Sequence, residues 1–468
     1  RRGCQKQFLA PSLLLLNLGI FYLQSTLNMT RKTFLILFLL VITSLNSFTM
    51  PNSHTPDFAF PKQVSENAQK DLQIAIKSGN SNGIIRALLD FSTAQYLIDS
   101  NNLHSTISTI EDVALSEKDP CTKSLLFTLL SDIYRKIYLN DKYTYDNRSN
   151  PRFPLPDDYH TWDGQQFEDK IISLCDSALS SPNALQATKL NEYKDVISID
   201  DMTIIYYPSL YDFIARHIIN TLTELDHSSV VFPRSWLCNY DIYQHIKFNH
   251  SSPIVEKILT IYQDLLAFNS NKPAPFIDCD INRIIFIKTN IHDYNDDAEG
   301  TAIDLLKALY KKYADNEYAD NILTSIFELN ISSLSDSKWL YYNCRAHKVK
   351  FPNCPEHNNL SYIIDQLSAN TVTISTPRII VPKDTFEVTI TNDNARKFWI
   401  KIYKITQNYY NEESISLNAT NSVLYKEIPF KSDSIVPFTE KTSIKIAFDE
   451  PGLYAFVPYL ENSNNKEQ

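Results

Sequence analysis

From residue 61 to residue 367 the apolar positions recur at helical spacing. Ile254, Ile258, Ile261, Leu265 and Phe268 line one face of a helix, and Leu210, Phe213, Ile214, His217 and Ile218 line another. Tyr318, Ile322, Ile326 and Leu329 form a third stripe. Turn-forming residues break the pattern at 79–83, Asp119-Pro120, Ser181-Pro182, 251–253, 272–275 and Asp315-Asn316. The pattern predicts about a dozen helices in antiparallel pairs. The pair over residues 303–313 and 318–329 gives it a repeat-like character, without a strict period of about 34 residues. A stretch over 143–160, rich in Pro, Asp and Tyr, carries prolines 151, 154 and 156 and is expected to be a long loop packed against the helices.

After residue 367 the period becomes two. Phe386, Val388 and Ile390 alternate with polar residues, as do Phe398, Ile400 and Ile402, then Ile444, Ile446 and Phe448, then Leu453, Ala455 and Val457. Pro377, Pro382, residues 392–394, Pro429, Pro437 and Pro451-Gly452 separate these runs, which predict an antiparallel β-sandwich of immunoglobulin or fibronectin type. The expected fold class is α+β and multidomain. A helical-hairpin array occupies 51–368, a sandwich 369–460 and a tail 461–468.

At 468 residues the chain can bury full-sized cores without disulfides or metals. With 43% hydrophobic residues, 27 Tyr and 25 Phe, it is not a disordered chain. It has seven glycines, and only Gly79 and Gly83 lie close together. A phosphate cradle needs closely spaced glycines, so G-x-G-x-x-G and P-loop nucleotide binding are excluded. The net charge is -10, and it becomes -15 from Pro51 onward because the first 50 residues hold five basic groups and no acid. So acidic a surface repels phosphate backbones, and no nucleic-acid partner is expected.

The basic start has its own layout. After Met29 come Arg31 and Lys32, an apolar run over 34–42 and a small, polar stretch over 43–49, the arrangement of a signal peptide at 29–50. That run is shorter than the about 20 residues a membrane span takes, so the mature chain is expected to be exported and to hold no transmembrane span. Residues 1–28, with an apolar run at 13–23, read as sequence translated upstream of the true start. Six cysteines then remain, at 121, 175, 238, 279, 344 and 354, and most are expected to be small buried hydrophobes.

Candidate chemistry is sparse. Asp293, Asn295 and Asp297 open like a calcium loop, but Ala298 and Asp304 stand where that loop needs Gly and a bidentate Glu, leaving a solvated acidic turn. Cys344-x-x-His347 and Cys354-x-x-His357 hold the ligand types of tetrahedral zinc within fourteen residues. A metal, a Cys344–Cys354 disulfide and unpaired side chains all stay open for them; they are the metal candidates, and no metal or cofactor is assigned. His160 sits among Asp157, Asp158 and Asp163, with no nucleophile turn and no H-E-x-x-H helix to complete a site. His217 reads as a core histidine with a hydrogen-bond partner. Tyr206, Tyr207, Trp236, Tyr240 and Tyr243 could line a groove but fit core packing better. No catalytic constellation emerges, and the chain is not expected to be an enzyme.

Residues 207–215 (YPSLYDFIA), the linker FPNCP at 351–355 with the helix at 360–367, and the sandwich opening VTISTP at 372–377 follow in an order of parts that resembles the N-terminal region of bacterial alpha-2-macroglobulin-family proteins. The likeness extends to 386–392 and 398–403, which look like paired strands of a first macroglobulin-like domain, and to 451–457, which looks like its closing strand. The resemblance implies a bacterial periplasmic or envelope protein that contributes to trapping proteases, its partners being proteases or other envelope proteins met through a larger polypeptide or assembly. Many members carry a C-x-E-Q thioester sequence, which this chain lacks, and no bait residue can be carried over. The chain is therefore expected to be a non-catalytic scaffold, either an N-terminal part or a truncated relative. The alternative is a periplasmic helical-repeat module that binds a peptide, glycan or protein partner.

Overall fold

Proline and asparagine set the helix starts. In the computed structural model, which describes residues 56–99, 103–148, 158–225, 232–249, 252–291, 298–329, 334–406 and 421–460, α1 (Pro61–Ser78) begins on Pro61, where no N–H is needed. It ends at Gly79, in the left-handed region at φ 64°, and Asn80 at once caps α2 (Ser81–Ile98) by accepting the Gly83 N–H at 3.1 Å. A hairpin results at the predicted break, with Val64, Ala68 and Leu72 buried on one helix and Ile85, Leu88 and Phe91 on the other. The segment at 1–28, the expected signal peptide at 29–50, the expected acidic turn at 293–297, Asp157, the three loop prolines and the expected tail at 461–468 lie outside the described residues.

The chain divides into two compact units between Thr221 and Leu222. The first continues with α3 (Leu103–Ser116), α4 (Pro120–Asn140), α5 (Lys142–Asp146), α6 (Gly164–Ala178), α7 (Pro182–Ala187), α8 (Asp201–Tyr206) and most of α9 (Leu210–Leu225). Between α4 and α6, Tyr134 stacks on Trp162 at 5.4 Å and Tyr138 on Phe167 at 5.5 Å. This aromatic cluster changes the start of the expected loop. Tyr145 buries its ring 4.5 Å from that of Phe167, and residues 143–146 are held in α5, although they read as loop in the sequence.

The second unit holds α10 (Tyr240–Tyr243), α11 (Pro253–Phe268), α12 (Pro273–Thr289), α13 (Ala298–Tyr313), α14 (Asp320–Glu328), α15 (Leu334–Lys350) and α16 (His357–Ser368). From α11 onward each helix packs against the next. The predicted stripe on α11 is inward, with Ile254, Ile258, Ile261 and Leu265 buried. Arg283 on α12 is wholly enclosed. It meets Asp280 at 2.8 Å, donates to the Cys238 carbonyl at 2.9 Å and lies 4.3 Å over the Tyr243 ring, so its charge is compensated where water cannot reach.

Two three-stranded antiparallel sheets follow: β1 (Thr371–Ser375), β2 (Phe386–Asp393) and β5 (Thr439–Ile446) in the order β1-β2-β5, and β4 (Ser422–Lys431), β3 (Lys397–Ile405) and β6 (Leu453–Leu460) in the order β4-β3-β6. Val388 faces Ile444 in one register and Ile400 faces Ile428 in the other, and Phe386, Val388, Ile390, Phe398, Ile400, Ile402, Ile446 and Phe448 form the shared core. The layout is α+β, a helical array followed by two small sheets.

Two details differ from expectation. Residues 386–392 and 398–403 do not pair; they lie in opposite sheets, because the chain turns over at Asn394, φ 64°. The Asn394 side chain fixes that turn by donating to the Leu367 and Ala369 carbonyls at 3.1 and 3.0 Å and accepting the Phe438 N–H at 2.8 Å. Pro429, expected between strands, lies inside β4. It is tolerated there because β4 is an edge strand bonded to β3 alone, and a missing N–H costs least on the open side.

Candidate functional site

The second unit gathers chemistry where three helices end. Pro352 and Pro355 stop α15 from continuing into α16 and leave a short turned link that carries Cys354, whose N–H reaches the Phe351 carbonyl at 3.2 Å. His347 sits in the last turn of α15, on its buried side with Leu340, Tyr341 and Cys344. Asp320 opens α14, after a turn over Glu317–Ala319 that the Asn316 side chain caps at 3.0 Å.

These elements bring Asp320, His347 and Cys354 together, with one ligand atom of each lying within 4.8 Å of the others and all three side chains buried. Asp320 receives the N–H of Asn321 at 2.8 Å and that of Glu356 at 2.6 Å, so it serves as an anchor for the start of α16. Its carboxyl is pushed up to about 6 by burial, with Glu356 adding to the shift and the Glu356 and Asn321 N–H groups and the Cys354 thiol opposing it. Cys354 is pushed up to about 12 by burial and by the neighbouring Asp320. Burial holds the His347 imidazole below its usual range against the pull of the Glu317 carbonyl, which accepts from Nε2 at 3.1 Å. Tyr310 Oη stands 3.5 Å from His347 Nδ1.

At neutral pH this is a buried thiol, a neutral imidazole and a carboxylate. The thiol bonds to Asp320 and not to His347, which is not the order of a nucleophile, its base and an orienting acid. The set is one of metal-ligand types.

The other sequence candidates fall as follows. Cys344 is buried one turn before His347 and lies outside the trio, its thiol pushed up to about 12 by burial. His357 opens α16 and is also outside the trio. The six described cysteines are all free thiols, so Cys344 and Cys354 form no disulfide, and five of the six are buried as expected. Asp320 was missed by sequence reasoning. An acid in the first turn of a helix is common, and its neighbours along the chain carry no signal that marks it as a ligand.

In the first unit, His217 meets Asp132 at 2.8 Å and is the paired histidine the sequence suggested. Asp158 and Asp163 act as caps, Asp158 accepting the His160 N–H at 2.9 Å and Asp163 forming a capping box with Gln166. The aromatic candidates divide between the two units. Tyr206 and Tyr207 belong to the first unit, while Trp236 packs against Phe232 and Phe248, Tyr240 against Phe276 and Tyr243 beneath Arg283 in the second. A separate cleft of about 420 Å³ in the first unit is lined by Asp57, Phe60, Gln63, Val64, Asp71 and Asp90.

No protein-family model matches the chain, and no curated protein matches it. Among solved structures the chain is similar to one described as "Computational Design of Self-Assembling Cyclic Protein Homooligomers", at 12% identity, over 66% of this chain and 92% of that one, with a TM-score of 0.19. A likeness so slight carries no argument. Among the described residues no helix is long and apolar enough to cross a membrane.

Proposed function

We propose that the chain is a non-catalytic, exported scaffold: the N-terminal part, or a shorter relative, of a protein resembling bacterial alpha-2-macroglobulins, serving protease defence at the envelope through a larger polypeptide or assembly. The observation that carries this reading is where the resembling segments fall. Residues 386–392 lie in β2, 398–403 in β3 and most of 451–457 in β6, the strands that enclose the sandwich core, and the FPNCP link lies between α15 and α16 just before it. Asn394 ties the sandwich to the end of α16, as a scaffold that passes load from helices to strands requires.

The test is the size and place of the native polypeptide, read by immunodetection in fractionated cells with an antibody against the sandwich. A soluble envelope band several times larger than 53.9 kDa is expected. A cytoplasmic band would overturn the reading; an envelope band slightly smaller than 53.9 kDa leaves only the shorter relative acting through an assembly, and overturns the reading if that band runs as a lone chain on a native gel.

A second reading, a helical-repeat binding module, draws on the cleft lined by Asp57, Asp71 and Asp90 beside Phe60 and Val64. Acids beside apolar walls suit a basic peptide side chain. Saturable calorimetric binding of a Lys- or Arg-containing peptide, lost on Asp71→Asn, supports this module; absence of binding removes it.

A further inference from the structure

We propose that Asp320, His347 and Cys354 form a three-ligand binding site for a borderline-soft divalent cation, zinc above all. The carboxylate, imidazole and thiol donors lie within 4.8 Å of one another. A tetrahedral zinc with bonds of about 2.0–2.3 Å spaces its ligands roughly 3.3–3.8 Å apart. The distance to close is about 1 Å, within reach of small side-chain rotations.

The outer partners of such a site are already in place. Glu317 accepts the His347 Nε2–H at 3.1 Å, a tautomer that leaves Nδ1 as the ligating atom, from which the cation displaces the Tyr310 hydroxyl now standing 3.5 Å away. The N–H groups of Asn321 and Glu356 hold the two Asp320 oxygens at 2.8 and 2.6 Å, and each oxygen keeps a second lone pair. The His357 backbone N–H donates to the Cys354 carbonyl at 3.1 Å and so fixes the link that carries the thiol.

Charge balance favours the same occupant. Binding breaks the Cys354 S–H bond and its hydrogen bond to Asp320, forms sulfur–zinc and oxygen–zinc bonds, and releases the thiol proton to water. One thiolate and one carboxylate then neutralise a dication, leaving no net charge among the three buried side chains. Thiolate and imidazole prefer zinc to magnesium or calcium, which take oxygen ligands.

The experiment uses the full chain, reduced and stripped with a chelator, titrated with cobalt(II) as a spectroscopic stand-in and then with zinc. A thiolate-to-cobalt charge-transfer band saturating at one cobalt per chain, and displaced by zinc, is expected; no band overturns the site. Cys354→Ser abolishes the band and Cys344→Ser leaves it, whereas the reverse result overturns the assignment. Outer partners of a metal alone are worth about 10–100-fold in affinity, so His347→Gln and Asp320→Asn must each weaken binding about tenfold or more. Unchanged affinity in both overturns the ligand set. Should the serine variant lose its helical circular dichroism, alkylation of the unmutated chain in mild denaturant replaces it: zinc must slow modification of Cys354 selectively, and slowing of no cysteine, or of another one, overturns the proposal.

Discussion

His217 Nε2 meets the carboxylate of Asp132 at 2.8 Å, across 85 residues of chain. Asp132 is enclosed on α4, and Arg135 contacts its other oxygen at 3.1 Å. Burial alone would raise its pKa, but the charge and hydrogen bond of His217, with Arg135, hold it well below the usual carboxylate range. A carboxylate held down in this way contributes stability above its unfolded pKa of about 3.9, and that stability is lost as pH falls toward the folded value. Asp132→Asn is expected to cost about 3 kcal/mol at pH 7. Urea melts at pH 7 and pH 3 check this, since the difference from the native chain must shrink at the lower pH.

Asp90 has the opposite sign. Burial pushes it up to about 6, with Arg86 opposing and Asp71 adding, and its Oδ1 is buried without a partner among the described residues. The folded chain therefore binds this proton more tightly than the unfolded one, and stability falls as pH rises from about 4 through about 6. Asp90→Asn removes that penalty. Since the group still sees solvent, the expected gain is about 1 kcal/mol at pH 8 and none at pH 4. Thermal melts across that range decide it, and a variant no more stable at pH 8 contradicts the assignment.

Two glycines test backbone against space. A Cβ at Gly79 would meet nothing within 4 Å, but the residue sits at φ 64°, so Gly79→Ala is expected to cost about 1–2 kcal/mol through conformation alone. At Gly164 a Cβ would stand 2.3 Å from Asp146 Oδ1 and 3.2 Å from Tyr138 Oη. Gly164→Ala must therefore push Asp146 off Tyr138, which it now meets at 2.8 Å, at about 1–3 kcal/mol. Adding Asp146→Ala should recover part of the Gly164→Ala loss and none of the Gly79→Ala loss, as denaturant melts would record.

In the sandwich, Ile400 is fully buried between β4 and β6, while Val423 on β4 is 59% exposed. Ile400→Ala is expected to cost about 2–5 kcal/mol and Val423→Ser no more than about 0.5. Equal effects in chemical denaturation would mean that the inner faces of the sheets are not packed as described.

Much of the architecture was legible because secondary-structure periods are local. Spacings of 3.6 and 2 residues follow from backbone geometry, and the breaks at Gly79, Asp119-Pro120 and Pro273 act through the φ they permit and the N–H they lack or satisfy. His217 was readable as a paired histidine from its apolar neighbours, though nothing in its vicinity pointed to Asp132. The helical α5 was not legible, because the burial of Tyr145 against Phe167 depends on a helix that begins after the loop. Strand partnership was not legible either. Alternation shows which side chains face inward, but the turn at Asn394 decides that β2 and β3 lie in opposite sheets.

The candidate site divides in the same way. Sequence alone determined that Cys344, His347, Cys354 and His357 lie within fourteen residues and carry ligand chemistry. Only the tertiary structure selected His347 and not Cys344, and added Asp320 from the start of another helix. Helix formation is settled by neighbours in the chain, whereas the meeting of three polar atoms depends on where packed helices end, which no local pattern encodes.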